Sequence, residues 1–142
     1  MGSPPILISG AGIAGPTLAY WLLKRGFSPV LVERAPRFRE GGYMIDFWSV
    51  GFDVAERMAL IPELRTVGYH INQLVFVNSD GSRRSALGRR ALDQALGERF
   101  LSLQRGDLAH AIYRKLDQGV ETIFDDTVIE IRPRDQDVEV AF

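Results

Sequence analysis

The spacing of apolar residues along the first third of the chain changes from strand type to helix type and back. A continuous apolar run, Ile6 to Ile8, predicts a parallel strand over residues 5–9 that is buried on both faces. Apolar residues then recur at helical spacing over residues 13–25, and a second strand-type run covers residues 29–33. This order predicts two parallel strands joined by a right-handed crossover.

The later pattern mixes short helices with extended segments. It predicts helices near 49–58, from Pro62 and over 105–117, and extended segments or strands at 43–48, 71–78, 83–87, 100–104, 120–124, 127–132 and 138–142. Residues 88–98 suit either a helical turn or a loop. The fold class that follows is α/β: a Rossmann-like domain with a parallel sheet plus a small antiparallel β-meander or hairpin. The last strand stops in mid-pattern, so we expect this fold to be incomplete.

The composition is that of one ordinary globular domain over residues 1–142. Apolar residues make up 46% and charged residues 25%, and the net charge of −1 favours neither nucleic acid nor a membrane surface as a partner. The lack of cysteine excludes disulfides, thiolate metal sites and a cysteine nucleophile. No basic stretch precedes the first apolar run, so we expect no signal peptide and a cytoplasmic location.

A glycine-rich loop between the first predicted strand and helix has the spacing Gly10-x-Gly12-x-x-Gly15. Gly10 would allow the tight turn, Gly12 the approach of a pyrophosphate to the backbone, and Gly15 close packing of the helix on the strand. The helix would then direct its free N–H groups at the phosphates. The alternative is a glycine-rich turn that binds no ligand.

The second predicted strand ends in an acid, Glu33, that lies 18 residues after Gly15. In dinucleotide-binding folds a carboxylate at about this distance accepts hydrogen bonds from a ribose. Arg34 follows directly and is a candidate to flank the adenosine. Taken in isolation, Glu33 would be a solvated surface charge.

Four stretches occur together in a recognisable order: residues 10–15, Val32-Glu33-Arg34, residues 41–60 and residues 103–108. In them the chain resembles the N-terminal part of the FAD-dependent aromatic-hydroxylase-type monooxygenases, flavoproteins with the p-hydroxybenzoate hydroxylase fold. The region from Gly42 to Asp46 is most similar to antibiotic-tailoring and tetracycline-inactivating members. The resemblance covers most of the chain and implies a Rossmann-like FAD-binding domain.

The resemblance gives roles to the residues at matching positions. The glycine loop would hold the FAD pyrophosphate, and Glu33 the adenosine ribose. The segment containing Met44, Ile45 and Asp46 would run near the isoalloxazine ring, and Arg105 would contact the ribityl-phosphate region, unless Arg105 instead forms an ion pair with Asp107. The expected cofactor-binding residues are Gly10, Gly12, Ile13, Ala14, Gly15, Glu33, Arg34, Met44, Ile45, Asp46 and Arg105.

The family activity is hydroxylation of an aromatic or polyketide-like small molecule, with O₂ and either NADPH or NADH as reductant. The family's later Asp-Gly and Gly-Asp motifs, and the sheet that covers the substrate, have no counterpart here. We therefore expect residues 1–142 to be about the first third of such an oxidoreductase, without its substrate domain. No catalytic residue is assigned, and the isolated His70 and His110 indicate no metal site.

Three other interpretations stay open. The chain could belong to another FAD oxidoreductase on the same scaffold, such as a reductase or a halogenase. A plain NAD dehydrogenase would need a third strand soon after a second helix, where this chain has an aromatic stretch and a hairpin. Finally, the chain could be an incomplete nucleotide-binding module, inactive until a second polypeptide or a missing C-terminal segment completes the fold.

Overall fold

A computed structural model describes residues 5–39, 41–97 and 99–142, which form five helices and nine strands. In chain order the elements are β1 (Pro5–Ser9), α1 (Ala14–Lys24), β2 (Ser28–Glu33), β3 (Met44–Trp48), α2 (Ser49–Arg57), α3 (Ile61–Val67), β4 (Gln73–Val77), β5 (Arg83–Gly88), α4 (Arg89–Leu96), β6 (Phe100–Gln104), α5 (Arg105–Arg114), β7 (Glu121–Phe124), β8 (Glu130–Pro133) and β9 (Val138–Ala141). They divide into two compact units. Unit 1 combines the residues up to Gly41 with those from Leu108 onward, and unit 2 is Gly42–Asp107.

A three-stranded parallel sheet with the order β1-β2-β7 forms the centre of unit 1. The middle strand, β2, buries Leu31 and Val32. The edge strand, β1, buries only Ile8. The expectation of burial on both faces is therefore wrong for β1, because a strand at the edge of a sheet has a neighbour on one side only.

Helix α1 packs on this sheet and completes the strand–helix–strand unit that the sequence predicts. Its Ala19 is fully buried in a cluster with Ile8, Leu31, Leu116 and Val120. The small alanine side chain at this position lets the helix backbone approach the strands closely. This packing holds the first turn of α1 next to the end of β1.

In unit 2, strands β3 and β6 form an antiparallel pair, α2 contacts β3, and α3 contacts β6. Its core is apolar and almost completely buried. The buried side chains include Phe52, Met58, Leu60, Leu64 and Leu103. The predicted extended segment at 43–48 is thus a strand, and its partner is the strand that leads into Arg105.

A second antiparallel pair in unit 2 is the hairpin of β4 and β5, which the turn sequence before Arg83 predicts. Helix α4 follows directly, so the undecided stretch 88–98 is helical from Arg89 to Leu96, and Glu98 lies outside the described residues. No residue of α4 is buried. The apolar side chains of β4 are also exposed, including Phe76 and Val77.

The C-terminal part of unit 1 differs from the sequence expectation at several boundaries; for example, β8 begins at Glu130 and not at residue 127. Helix α5 ends at Arg114, before the expected residue 117, because the N–H groups of Lys115, Leu116 and Asp117 donate to carbonyl oxygens three residues earlier and not four. The last strand, β9, pairs with β8 in antiparallel register. The α/β fold with a parallel sheet and small antiparallel hairpins is confirmed. No helix in the described part of the chain is both long and apolar enough to cross a bilayer.

We predict that Leu31→Ala lowers the free energy of unfolding by about 2–5 kcal/mol, because it opens a cavity beneath the central strand. Leu31 is 0% exposed, whereas Leu18 on α1 is 50% exposed. The matched control, Leu18→Ala, should therefore change stability by about 0.5 kcal/mol or less. Urea unfolding followed by circular dichroism measures both. Equal losses in the two variants would contradict the assignment of β2 as the core strand.

Candidate functional site

The predicted nucleotide loop connects β1 to α1 in unit 1. Gly10 has a φ of 102°, a backbone conformation that glycine adopts readily and that other residues rarely adopt. Its N–H donates to the carbonyl oxygen of Val32 at 2.7 Å, so the turn begins against the end of β2. In open parallel sheets this carboxyl edge is where ligands bind.

The third glycine of the loop is required by close packing within the same turn. A Cβ atom on Gly15 would overlap the carbonyl oxygen of Gly10 and lie 3.4 Å from the Cγ2 atom of Ile8. The structure therefore gives Gly15 the role that the sequence predicts, with the loop's own carbonyl as the nearest obstacle. Any side chain here would push α1 away from β1.

The first turn of α1 carries backbone N–H groups that have no acceptor within the helix. Ile13 precedes the helix without a side-chain capping bond, and no acidic residue lies in the first turn. Ala14 is exposed, and Pro16, which has no N–H to satisfy, is buried. The first N–H groups of a helix have no intrahelical acceptor, and together with the helix dipole they attract anions. This end of α1 can therefore bind a phosphate.

Glu33 ties the glycine loop to β2. Its Oε2 atom accepts a hydrogen bond from the Ala11 N–H at 2.8 Å, and its Oε1 atom accepts one from the Ala35 N–H at 2.9 Å. The side chain is 18% exposed, and Arg39 approaches Oε1 at 4.0 Å. Glu33 is thus not a solvated surface charge. It fixes the loop, and part of its surface stays accessible.

The environment of Glu33 lowers its pKa. Partial burial of the carboxylate acts in the opposite direction and raises the pKa. The N–H groups of Ala35 and Ala11 act against this effect because they stabilise the charged form. The positive charges of Arg39 and Arg34 add to the lowering. Arg34 itself is exposed.

The residues after β7 also line this edge, although the predictions from the sequence did not include them. The Asp126 N–H donates to the carbonyl oxygen of Glu33 at 3.3 Å, and the Asp125 N–H donates to that of Ala35 at 3.0 Å. The end of β7 therefore lines the same carboxyl edge as Gly10 and Glu33. This contribution could have been predicted from the sequence, because parallel strands of one sheet have their carboxyl ends at the same edge.

In unit 2 the predicted segment from Met44 to Asp46 lies on β3, opposite β6. Met44 is exposed and Ile45 is half-buried. An oxygen of Asp46, Oδ1, accepts a hydrogen bond from the buried Ser102 hydroxyl at 3.0 Å. This bond links the two strands through side chains and fixes the direction of the Asp46 carboxylate.

Arg105 begins α5 directly after β6. Its N–H donates to the carbonyl oxygen of Tyr43 at 3.0 Å, and its Cβ atom lies near Gly42, whose φ is 122°. The ion pairs between described residues include none between Arg105 and Asp107, so the alternative role for this arginine is not supported. The half-buried guanidinium is available for an anionic ligand.

The predicted residues therefore form two sets, one in each unit. Unit 1 brings together Gly10, Gly12, Ile13, Ala14, Gly15, Glu33 and Arg34 at the carboxyl edge of its sheet, and unit 2 holds Met44, Ile45, Asp46 and Arg105 on β3 and at the end of β6. Among the residues that the structure describes, no three His, Cys, Asp or Glu side chains are grouped to hold a metal ion. The ring of His110 instead stacks on Phe38, with centroids 5.2 Å apart.

We predict that Gly15→Ala destabilises the protein by about 1–3 kcal/mol, because the new Cβ atom overlaps the Gly10 carbonyl and must displace α1. Gly88→Ala is the matched control, since a Cβ atom there meets nothing within 4 Å. Its φ of −76° also suits alanine. Thermal unfolding compares the two variants. An unchanged melting temperature for Gly15→Ala would show that the loop is not packed as described.

We predict that Glu33→Gln costs about 1–3 kcal/mol at pH 7, because two backbone N–H groups lose a charged acceptor. The pKa of Glu33 is lowered in the folded state, so this stabilisation is complete above its ordinary pKa and is lost as the pH falls through the folded-state pKa. The difference between wild type and variant should therefore shrink in acid. Unfolding curves between pH 3 and 7 test this, with exposed Glu121→Gln as the control. A difference that does not change with pH would contradict the role of the charge.

Known proteins resemble this chain in sequence and in fold. No protein-family model matches the chain. A flavin-dependent monooxygenase of Legionella longbeachae is 31% identical over 144 residues, which cover 96% of this chain and 35% of that protein. The solved structure of the tetracycline destructase Tet(51) is 32% identical, with a TM-score of 0.75 over 97% of this chain and 34% of that one.

A further solved structure, CtdE in complex with FAD, shares the fold, with a TM-score of 0.78 and 15% identity over 97% of this chain and 34% of that one. The chain thus spans about a third of the length of the relatives it matches. The predicted resemblance, including that to tetracycline-inactivating members, is confirmed. The chain is similar to a portion, about a third in length, of relatives that are named flavin-dependent monooxygenase or tetracycline destructase.

Proposed function

We propose that residues 1–142 act as the FAD-binding portion of a flavin-dependent monooxygenase that uses NADPH or NADH and O₂ to hydroxylate a small molecule. The observation that carries the proposal is the carboxyl edge of the unit 1 sheet. There a glycine loop, an uncapped helix start and a carboxylate lie together. This combination suits a dinucleotide with a pyrophosphate and a ribose.

The residues present fit FAD. Glu33 uses each carboxylate oxygen for one backbone N–H, and a carboxylate has about four acceptor positions, so acceptors remain for ribose hydroxyls. The backbone of Gly12, Ile13 and Ala14 would hold the pyrophosphate. When bound, FAD supplies the redox chemistry that transfers an oxygen atom to the substrate. The protein's part is to bind the cofactor, orient it and exclude water.

The family resemblance also assigns cofactor contacts to residues of unit 2. Arg105 offers a planar guanidinium for charge-assisted hydrogen bonds to the ribityl-phosphate region. Met44, Ile45 and Asp46 would lie along the isoalloxazine ring, and the bond between Asp46 and Ser102 would keep that strand in place. These roles extend the family resemblance residue by residue.

The substrate class we infer is aromatic or polyketide-like. The support comes from relatives, since two tetracycline destructases are 27% and 32% identical to this chain. A cytoplasmic location, where NADPH and NADH are available, is part of the same proposal. A reductase or halogenase on this scaffold has no specific observation in its favour.

A second proposal concerns the chain by itself. Because the chain spans only about a third of the length of its relatives, we infer that it binds FAD weakly and has no catalytic activity by itself. A further polypeptide segment would complete the cofactor site and supply the substrate domain. Turnover of NADPH and hydroxylation of a substrate by the 142-residue chain alone would refute this inference.

We predict that Arg105→Ala weakens FAD binding by the purified chain at least tenfold, because a charge-assisted contact to phosphate is lost. The matched control is Arg84→Ala, which removes an exposed arginine of β5. Titration of the quenching of flavin fluorescence measures both affinities. Equal affinities for wild type and Arg105→Ala would remove Arg105 from the site, and no saturable binding by any form would count against the proposed function.

A further inference from the structure

The loop that follows β2 in unit 1 carries three arginines and one aromatic side chain. Arg34, Arg37 and Arg39 are exposed, whereas Phe38, between the last two, is half-buried. Exposed loops are usually the more mobile parts of a protein. This loop is instead held near both of its ends by contacts within unit 1.

The first point of attachment is the backbone of Ala35. Its N–H donates to Oε1 of Glu33 at 2.9 Å, and its carbonyl oxygen accepts a hydrogen bond from the Asp125 N–H at 3.0 Å. The side chain of Ala35 is buried. The chain is therefore fixed to the carboxyl edge of the sheet here, and only Pro36 and Arg37 separate this point from Phe38.

The second point of attachment is the ring of Phe38, which contacts two aromatic side chains of α5. It stacks on His110 with an interplanar angle of 20°, and its centroid lies 4.9 Å from that of the Tyr113 ring. His110 and Tyr113 are three residues apart and so share one face of the helix. The Tyr113 hydroxyl donates to Oγ1 of Thr122 on β7 at 3.0 Å. The surface on which Phe38 packs is thus itself tied to the sheet.

Arg39 follows Phe38 directly and lies next to the same acid that binds Ala35. Its guanidinium is 4.0 Å from Oε1 of Glu33, although the arginine side chain is 69% exposed. An exposed ion pair is weak because the arginine loses side-chain entropy when it stays beside the acid. A backbone that is already fixed at the preceding residue reduces the number of positions open to the arginine.

We propose that Phe38 is a positioning residue of the nucleotide site: stacked on α5, it holds Arg39 beside the Glu33 carboxylate. Arg39 then helps to keep this carboxylate charged and in one orientation. The inference rests on the proposed function only in assigning Glu33 to a nucleotide. The link from Phe38 through Arg39 to Glu33 can be tested without a ligand.

A ¹³C NMR titration of the Glu33 side-chain carboxyl measures this link in the 142-residue chain. Partial burial raises the pKa of Glu33, whereas two backbone N–H groups and the positive charges of Arg39 and Arg34 lower it. We expect Arg39→Ala to raise this pKa because one of these charges is lost. Phe38→Ala should also raise it, and the double variant should raise it no further than Arg39→Ala alone.

Matched variants separate positioning from a general loss of packing. Phe38→Tyr keeps the ring and should leave the pKa of Glu33 as in the wild type. Phe27→Ala, which removes a 41% exposed phenylalanine before β2, should also leave it unchanged. Phe38→Leu keeps an apolar side chain without the ring, so it replaces Phe38→Ala if that variant does not fold, and it should raise the pKa.

Two results of the NMR titration would overturn the proposal. One is a pKa of Glu33 that rises in Arg39→Ala but stays at the wild-type value when the Phe38 ring is removed. The other is a pKa that does not respond to Arg39→Ala, because Arg39 would then not be held beside the acid.

FAD titration separates this proposal from the proposed function. We expect Phe38→Ala to weaken FAD binding about threefold, the scale of an exposed ion pair, and Phe38→Tyr to bind like the wild type. No saturable binding by any form, together with the expected NMR result, would refute the proposed function and keep the link from Phe38 to Glu33. Wild-type FAD affinity in Phe38→Ala would remove Phe38 from the nucleotide site and keep the proposed function.

Discussion

The candidate site depends on the Glu33 carboxylate at the end of the central strand. One oxygen binds the N–H of Ala11 in the glycine loop, and the other binds the N–H of Ala35 in the next loop. Two loops that begin at neighbouring strands are thereby held by one side chain. Because the acceptor is charged, these bonds are stronger than neutral ones, and the lowered pKa of Glu33 reflects them. The loop is therefore shaped before any ligand binds.

The shape of the glycine loop also explains why glycine is needed at two different positions. Gly10 takes a positive φ so that the chain can turn from β1 and donate to Val32. Gly15 lacks a Cβ atom so that α1 can begin directly over the Gly10 carbonyl. The helix start then presents backbone N–H groups that have no intrahelical acceptor. Preorganised donors of this kind favour anion binding, since little order has to be gained when the ligand arrives.

Much of this could be predicted from the sequence. The strand–helix–strand unit follows from the change in apolar period, and the loop follows from three glycines at fixed spacing. The partial exposure of β1 could not be predicted, because it follows from the order of strands in the sheet. Strand β7, which begins about 90 residues after β2, pairs with β2 and leaves β1 at the edge. The double hydrogen bond of Glu33 was missed for a similar reason, since it needs the register of β1 against β2. Helix α4 was undecided because it is only 8 residues long and none of its residues is fully buried.

The central claim is that the carboxyl edge of the unit 1 sheet binds the dinucleotide. The most direct test is an NMR titration of the ¹⁵N-labelled chain with FAD, followed at each backbone amide. The account predicts the largest shift changes at Ala11, Gly12, Ile13, Ala14 and Gly15, with a smaller response at Ala35. Shift changes confined to other parts of the chain, or none at millimolar FAD, would contradict it.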